Sequence, residues 1–195
     1  MNEIDKTVAF VTGASRGLGY QVAKMLSKKG MHLIGLARTV GGLESLSDEI
    51  AEENGTSTMV PLNLENFTQL DALAKIISKK WGRIDVFVHC ASISMPMCPV
   101  TSIQINDFEK SLSINTKSTL KLIQIIDPLL RLSQIKTAIF IDDKNSGKFL
   151  TSYSSSKAAT RELIQIYKME STRVGPRVIV FYPKPMPTKL RAKFY

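Results

Sequence analysis

Short apolar runs alternate with longer stretches of helical period along this chain. The first run, residues 7–11, contains β-branched residues and ends in a glycine turn. Apolar side chains then recur at helical spacing between Leu18 and Leu26, and Gly30 follows as a stop signal. This pattern predicts a strand, a tight turn and a helix.

The same alternation continues along the rest of the sequence. Further strands are predicted at residues 32–37, 57–62, 84–89, 137–141 and 177–182, and helices at residues 43–53, 67–81, 106–132 and 151–172. Pro128 is expected to bend the longest of these helices. Strands that alternate with helices indicate a parallel sheet covered on both faces. We therefore predict an α/β fold, a Rossmann-type doubly wound sheet of six strands in the order 3-2-1-4-5-6.

The composition is typical of a globular domain. The chain has 195 residues, of which 44% are hydrophobic, and this is enough for a substantial core. We find no internal repeat, low-complexity stretch or linker, so we expect one domain over residues 1–195. No apolar run approaches the ~18 residues that cross a bilayer, and residues 1–6 do not resemble a secretion signal. We expect a cytoplasmic protein without membrane contact, and reduced thiols at Cys90 and Cys98.

The net charge of +9 narrows the choice of partners. Lysines are scattered over several predicted helices, without the aromatic-interleaved basic run of a nucleic-acid binder. Only residues 184–193 concentrate positive charge. We expect no nucleic-acid partner, and an anionic small molecule such as a phosphorylated cofactor remains compatible with the charge.

The first glycine turn is a candidate phosphate site. The segment Thr12-Gly-Ala-Ser-Arg-Gly-Leu-Gly19 follows a predicted strand and opens a helix. Its glycines would let the backbone approach a pyrophosphate, and the helix would direct its free amides at that anion. The turn, which includes Gly13, Ser15, Gly17, Leu18 and Gly19, is therefore predicted to bind a dinucleotide, although an ordinary tight turn is the alternative.

Two arginines favour a particular dinucleotide. An NAD-selective protein would place an acidic residue after the second strand, but Arg38 follows Ala37 there. Arg16 lies inside the glycine turn. Two guanidinium groups near the adenosine ribose suit a 2′-phosphate, because the planar fork pairs bidentately with phosphate oxygens. We predict that NADP(H) is preferred over NAD(H), with two merely exposed charges as the alternative.

Tyr153 and Lys157 are the candidate catalytic pair. A spacing of four residues on the predicted helix 151–172 puts both side chains on one face. A solvated tyrosine and lysine one turn apart is the alternative. Together with the glycine turn, this pair makes the chain resemble the short-chain dehydrogenase/reductase family over nearly its whole length. A further match is Asn115 within Ser113-Ile-Asn-Thr, and residues 183–188 resemble the family's loop after the sixth strand. Residues 88–92 stand where the family usually has Asn-Asn-Ala-Gly after the fourth strand.

The resemblance implies catalytic roles for three residues. Tyr153 would donate a proton to a carbonyl oxygen during reduction and accept one during oxidation. Lys157 would lower the pKa of the phenol and hold the nicotinamide ribose. Asn115 would hold a water that links Lys157 to solvent.

The resemblance also implies a cofactor path beyond the glycine turn. Adenine would meet Asn63 and Leu64, where the family usually has an aspartate. Ala91 and Ser92 would follow the fourth strand, and a loop with Pro183 and Thr188 would close over the nicotinamide. Met95, Met97 and Cys98 would line a substrate pocket or simply pack their loop down, and His89 is expected to be a hydrogen-bonded core residue.

One departure from the family concerns the catalytic serine. Asp143, or less favourably Asp142, occupies its expected position, and Ser146 is the nearest hydroxyl. An ionised carboxylate there would oppose a developing oxyanion, attract Lys157 and raise the pKa of Tyr153. The alternative is that both aspartates turn outward into a solvated loop.

A second departure is length, because the sequence stops at Tyr195, where family members usually continue with a helix and a strand. A homo-oligomer is still expected through helices 106–132 and 151–172. The first of these carries an apparent apolar surplus, namely Leu120, Leu122, Ile123, Ile126 and Leu129.

The predicted function is hydride transfer between NADP(H) and a small carbonyl or alcohol substrate, weakened by Asp143. The alternative is a non-catalytic NADP(H)-binding protein that keeps the fold for a binding or regulatory role.

Overall fold

Six parallel strands form one sheet in the order β3-β2-β1-β4-β5-β6, which confirms the predicted topology. The computed structural model describes residues 6–143 and 147–194. The strands are β1 (Val8–Thr12), β2 (His32–Ala37), β3 (Thr56–Pro61), β4 (Val86–His89), β5 (Thr137–Ile141) and β6 (Arg177–Phe181). The helices are α1 (Gly17–Lys28), α2 (Val40–Glu52), α3 (Phe67–Trp81), α4 (Ile105–Leu112), α5 (Ser118–Arg131) and α6 (Thr151–Glu170).

The core lies on both faces of this sheet. On one face Phe10, Phe87 and Phe140 pack against apolar residues of α3, α5 and α6. On the other, Val11 and Leu33 pack against α1 and α2. All residues of β1, β2 and β4 are buried, as continuous apolar strands require in a sheet covered on both sides.

The long helix predicted at residues 106–132 contains a π-helical turn. Residues Ser113–Lys117 form this turn between α4 and α5, and Asn115 lies inside it. Pro128 is accommodated within α5. Such turns often mark functional positions, because they redirect the side chains of the helix.

Two elements begin a few residues away from the positions that the hydrophobic pattern predicts, because of specific local contacts. α2 begins at Val40, earlier than predicted, and includes Gly42, whose α-carbon lies so close to Ser15 that a side chain would overlap its carbonyl oxygen. β4 begins only at Val86. The buried Asp85 precedes it, and its carboxylate accepts hydrogen bonds from Val8 N and Ser133 Oγ. These bonds fix the position of residue 85 just before the strand.

The apolar surplus predicted for the long helix is mostly core, so that argument for an oligomer was wrong. Leu122, Ile126 and Leu129 are buried against the sheet, and Ile123 packs beside them. Only Leu120 is exposed, to 42%. α5 buries a broader apolar face than a single stripe because both the sheet and α3 pack against it.

In the described ranges, no helix combines the length and apolar character that a membrane crossing requires. Cys90 and Cys98 form no disulfide with any residue of the described chain.

Candidate active site

A cleft of about 730 Å³ opens at the carboxyl ends of the strands. Open α/β sheets bind ligands at this edge. Fifteen predicted site residues line it: Gly13, Ser15, Arg16, Gly17, Leu18, Arg38, Asn63, Leu64, Ala91, Ser92, Asp143, Tyr153, Lys157, Pro183 and Thr188. Two predicted residues, Gly19 and Asn115, lie behind its wall instead.

The glycine turn has the geometry of a close backbone approach. Gly13 and Gly17 both have positive φ angles, of 72° and 58°. Gly13 N donates to Leu36 O at 2.8 Å, which fastens the turn to β2. A side chain at Gly19 would overlap the carbonyl oxygen of Gly13, so this glycine permits close packing of α1 on the turn. α1 starts at Gly17 with neither a side-chain cap nor an acidic residue in its first turn, which leaves its amides open toward the cleft.

Positive charge lies at the end of the cleft beside the glycine turn. Arg16 and Arg38 both line it and are exposed to solvent. Arg38 follows the last residue of β2, where no carboxylate stands. Asn63 and Leu64 line the same end after β3, and Leu64 is buried.

Tyr153 and Lys157 lie side by side on α6 at the other end of the cleft. Tyr153 is only 2% exposed, and its Oη donates to Asp143 Oδ2 at 2.8 Å. Lys157 Nζ lies 3.2 Å from Asp142 Oδ1 and donates to Ile141 O at 3.3 Å. Each member of the pair therefore faces a different aspartate.

Asp142 joins Lys157 to a cation that the sequence reasoning missed. Arg161 Nε donates to Asp142 Oδ2 at 2.7 Å, and its Nη2 donates to Asp143 O at 3.0 Å. Asp142 is 2% exposed, so the alternative of an outward-facing solvated aspartate was wrong for this residue. The missed signal was spacing, because Tyr153, Lys157 and Arg161 recur every four residues along one helical face.

The electrostatic surroundings hold Tyr153 in its protonated form. Burial raises the pKa of the phenol above its ordinary value, and the charge and hydrogen bond of Asp143 raise it further. The Ser92 hydroxyl acts in the opposite direction. The lowering of the Tyr153 pKa expected from Lys157 is not observed, because Lys157 is directed toward Asp142.

Asn115 fastens the loop after β4 to α6. Its amide nitrogen donates to Ile93 O and Ser156 Oγ, each at 2.9 Å. Its amide oxygen accepts from Ile93 N and Ser92 Oγ. Its main-chain oxygen accepts from two threonine hydroxyls, those of Thr119 and Thr160. These bonds favour a positioning role for Asn115 over the predicted water-binding role.

His89 is a core residue behind the glycine turn, as predicted. Its ring nitrogens pair with Thr12 Oγ1 at 2.7 Å and Thr119 Oγ1 at 2.9 Å. Burial, with a smaller contribution from the charge of Lys157, lowers the pKa of His89 to about 3. The ring is therefore neutral in the folded protein near neutral pH.

The segment after β6 forms one wall of the cleft. Thr188 lies next to the glycine turn, since a Cβ built on Gly17 would be 3.7 Å from its methyl carbon. The ring of Phe194 lies 5.0 Å from that of Tyr153, centroid to centroid. Lys193 Nζ donates to Ser94 O at 3.0 Å. Phe194 was missed because no local pattern predicts where an irregular segment places an aromatic ring.

The predicted substrate pocket differs in its lining. Met95, Met97 and Cys98 do not line the cleft, which Ile93, Met186 and Phe194 line instead. Cys98 N donates to Phe149 O, so this loop packs against the segment before α6. Ser146, the hydroxyl considered as a substitute for the family serine, lies outside the described residues.

Comparison with known proteins agrees with this architecture. A family model described as short chain dehydrogenase matches residues 7–195, and the chain belongs to that family. An uncharacterised oxidoreductase of Staphylococcus haemolyticus is 26% identical over 186 residues, covering 94% of this chain and 79% of the relative.

Solved structures show the same fold. A candidate short chain dehydrogenase from Pseudomonas syringae is 30% identical, with a TM-score of 0.90 over 100% of this chain and 84% of that protein. A metagenomic short-chain oxidoreductase solved in complex with NADP is 25% identical, with a TM-score of 0.86 over 94% of this chain and 85% of its own.

Because His89 is buried with a lowered pKa, we expect the protein to lose stability in mild acid. Its pKa of about 3 lies below the ordinary 6.5, so below neutrality the unfolded chain binds a proton that the folded chain does not. At about pH 5 this difference lowers the free energy of unfolding by roughly 2 kcal/mol, since each pKa unit is worth about 1.4 kcal/mol. Between neutral pH and about pH 5, we expect the free energy of unfolding to fall less in His89→Asn than in the parent protein, as measured by urea unfolding. An identical pH dependence in both proteins would contradict the assignment.

Proposed function

We propose that the protein is an NADP(H)-dependent oxidoreductase that transfers hydride between the nicotinamide and a small carbonyl or alcohol substrate. The observation that carries this proposal is the single cleft that joins the glycine turn at one end to Tyr153 and Lys157 at the other. A phosphate-binding end and a proton-transfer end in one cavity are the two requirements of such chemistry.

The residues present fit the cofactor. Positive φ angles at Gly13 and Gly17 and the uncapped start of α1 suit a pyrophosphate. Arg16 and Arg38 suit a 2′-phosphate, and the NADP complex of the metagenomic relative supports this choice. Asn63 and Leu64 would contact adenine, and Ala91, Ser92, Pro183 and Thr188 would surround the nicotinamide half.

When bound, NADPH supplies the hydride, and this chain supplies orientation and proton control. Tyr153 would hold the proton that a carbonyl oxygen takes up on reduction. Lys157 has three N–H bonds and uses two, toward Asp142 and Ile141 O, so the third is available for a ribose hydroxyl. Asn115 and Arg161 would act through their neighbours, as positioning residues.

Asp143 opposes carbonyl reduction at this site. Its Oδ2 already accepts the proton of Tyr153 Oη, which directs that proton away from a substrate. An ionised carboxylate about 4 Å from a developing oxyanion would oppose it by roughly 4 kcal/mol at an effective dielectric near 20. That corresponds to a rate loss of about a thousandfold.

A second candidate function is non-catalytic binding of NADP(H). It is favoured by the bond from Tyr153 to Asp143 and by the Phe194 ring beside the phenol, since both restrict access to the proton. A fluorescence titration with NADPH, followed by a screen for NADPH oxidation over carbonyl compounds, separates the two. Binding without oxidation of any compound would favour the second candidate.

The cofactor proposal predicts a selective effect of Arg38→Ala. A hydrogen bond to a charged group is worth roughly 1.5 to 3 kcal/mol, so the variant should bind NADPH about 10- to 100-fold more weakly and NADH almost unchanged. Titration of protein fluorescence with each nucleotide measures both affinities. Arg173→Ala removes an equal charge at an exposed position outside the cleft and serves as the control. Equal affinity of the parent protein for NADPH and NADH would contradict the proposal.

The opposing charge predicts a gain of function. Asp143→Ser should raise NADPH-dependent turnover of a carbonyl compound by about tenfold or more, because it removes repulsion and supplies a hydroxyl donor. Asp143→Asn should recover part of this by removing the charge alone. Asp48→Ser, at an exposed position on α2, controls for net charge. If carbonyl turnover stays the same in both Asp143 variants, the electrostatic explanation is wrong.

We also propose a homodimer built from residues 106–132 and 151–172. Their exposed large apolar side chains are Leu120, Leu132, Ile166 and Met169, and Ile105 at the start of α4 is exposed as well. Sedimentation at micromolar concentration should give a dimer, and the double variant Leu120→Glu, Ile166→Glu should shift it toward the monomer. Ile76→Glu, at a more exposed apolar position on α3, should leave the dimer intact. A monomeric parent protein would overturn this proposal.

A further inference from the structure

The two neighbouring aspartates of the site differ in how their charges are balanced. Asp142 lies between two cations, Lys157 at 3.2 Å and Arg161 at 2.7 Å. Asp143 has no cation within ion-pair distance in residues 6–143 and 147–194, and Arg161 reaches only its main-chain oxygen. The negative charge of Asp143 is therefore the uncompensated one, and it lies in the wall of the cleft.

One oxygen of Asp143 also lacks a hydrogen-bond partner. Oδ2 accepts from Tyr153, whereas Oδ1 is buried and accepts no bond from any described residue. A buried charged acceptor without a donor is rare in folded proteins, and a bound ligand is one way to satisfy it. The donor that suits it best carries a positive charge, because charge-assisted bonds are the stronger ones.

We propose that Asp143 anchors a protonated nitrogen, so that the substrate of this cleft is an imine, bound as its iminium ion, and the product the corresponding amine. The proposal rests on the proposed function, because it uses the same cleft and the same hydride donor. It changes the class of substrate from C=O to C=N.

The step balances without an added reagent beyond NADPH. The imine takes up one proton from solvent to become the iminium ion, and Asp143 favours that form because an opposite charge stabilises a cation. Hydride from NADPH adds to the iminium carbon, and the π pair of the C=N bond moves onto nitrogen. The nitrogen becomes a neutral amine, NADPH becomes NADP⁺, and no oxyanion forms.

The arrangement of Tyr153 agrees with this chemistry. The phenol donates to Asp143 and is held protonated, so it orients the carboxylate and does not need to release its proton during hydride transfer. In the reverse direction, oxidation of an amine develops positive charge on nitrogen, and the same carboxylate would stabilise that charge. At one and the same position, Asp143 therefore stabilises a cationic nitrogen and destabilises an oxyanion.

The first test compares a matched pair of ring compounds, pyrroline and cyclopentanone, by following NADPH oxidation. We expect kcat/KM for pyrroline to exceed that for cyclopentanone by about tenfold or more, as a charge-assisted bond would give. Asp143→Ser should reverse this preference, and Asp48→Ser should preserve it. A parent protein that reduces cyclopentanone as well as pyrroline would overturn the imine proposal and leave the reductase proposal standing.

The second test measures binding and does not depend on turnover. In the presence of NADPH, which can reduce neither compound, protonated pyrrolidine and cyclopentanol are titrated against the parent protein and Asp143→Asn by calorimetry. The proposal expects the variant to bind pyrrolidine about tenfold more weakly and cyclopentanol with unchanged affinity. NADPH binding without oxidation of NADPH by pyrroline or cyclopentanone would remove the reductase proposal. Equal binding of pyrrolidine by both proteins would remove the cation-anchoring role of Asp143.

Discussion

The buried ion pair of Asp142 with Lys157 and Arg161 is the interaction on which the site depends. It joins the end of β5 to two successive turns of α6. Removing one partner of such a pair typically costs about 3 to 5 kcal/mol, because it leaves an uncompensated buried charge. The rotation of α6 about its axis is thereby fixed, and Tyr153, one turn before Lys157, is brought to Asp143.

A second set of contacts holds another side of the same helix. The π-helical turn at Ser113–Lys117 carries Asn115, whose amide joins the loop after β4 to Ser156 of α6. Thr116 adds a bond to the main-chain oxygen of Ser156. Tyr153 and Lys157 are therefore held between β5 and the π turn, so their geometry is largely set before any ligand binds. Such preorganisation is what electrostatic catalysis requires.

The fold and the position of the cleft were predictable from the sequence because both follow from short-range patterns. Apolar periodicity defined the strands and helices, and parallel strands bring their carboxyl ends, hence Gly13, Arg38 and Asp143, to one edge. A carboxylate after the fifth strand was expected to attract Lys157 and to raise the pKa of Tyr153, and the structure shows both effects. It divides them between two residues, because Asp142 pairs with Lys157 and Asp143 accepts from Tyr153. That division could not be predicted, because it depends on side-chain rotations that no sequence pattern encodes. The early start of α2 was missed because glycines usually interrupt helices, and here Gly42 is required for close contact with Ser15.

The segment after β6 connects the end of the cleft at the glycine turn with the end at Tyr153. Thr188 reaches the glycine turn, Phe194 lies against Tyr153, and Lys193 holds the segment to the loop after β4. The aromatic ring covers the phenol, which is only 2% exposed, and burial of this kind lowers the local dielectric. A lower dielectric strengthens each interaction that the Asp143 charge makes with a bound ligand. Asp143 would repel a ligand that develops negative charge and attract one that carries positive charge. Burial by the segment after β6 therefore increases the difference in interaction energy between these two classes of ligand.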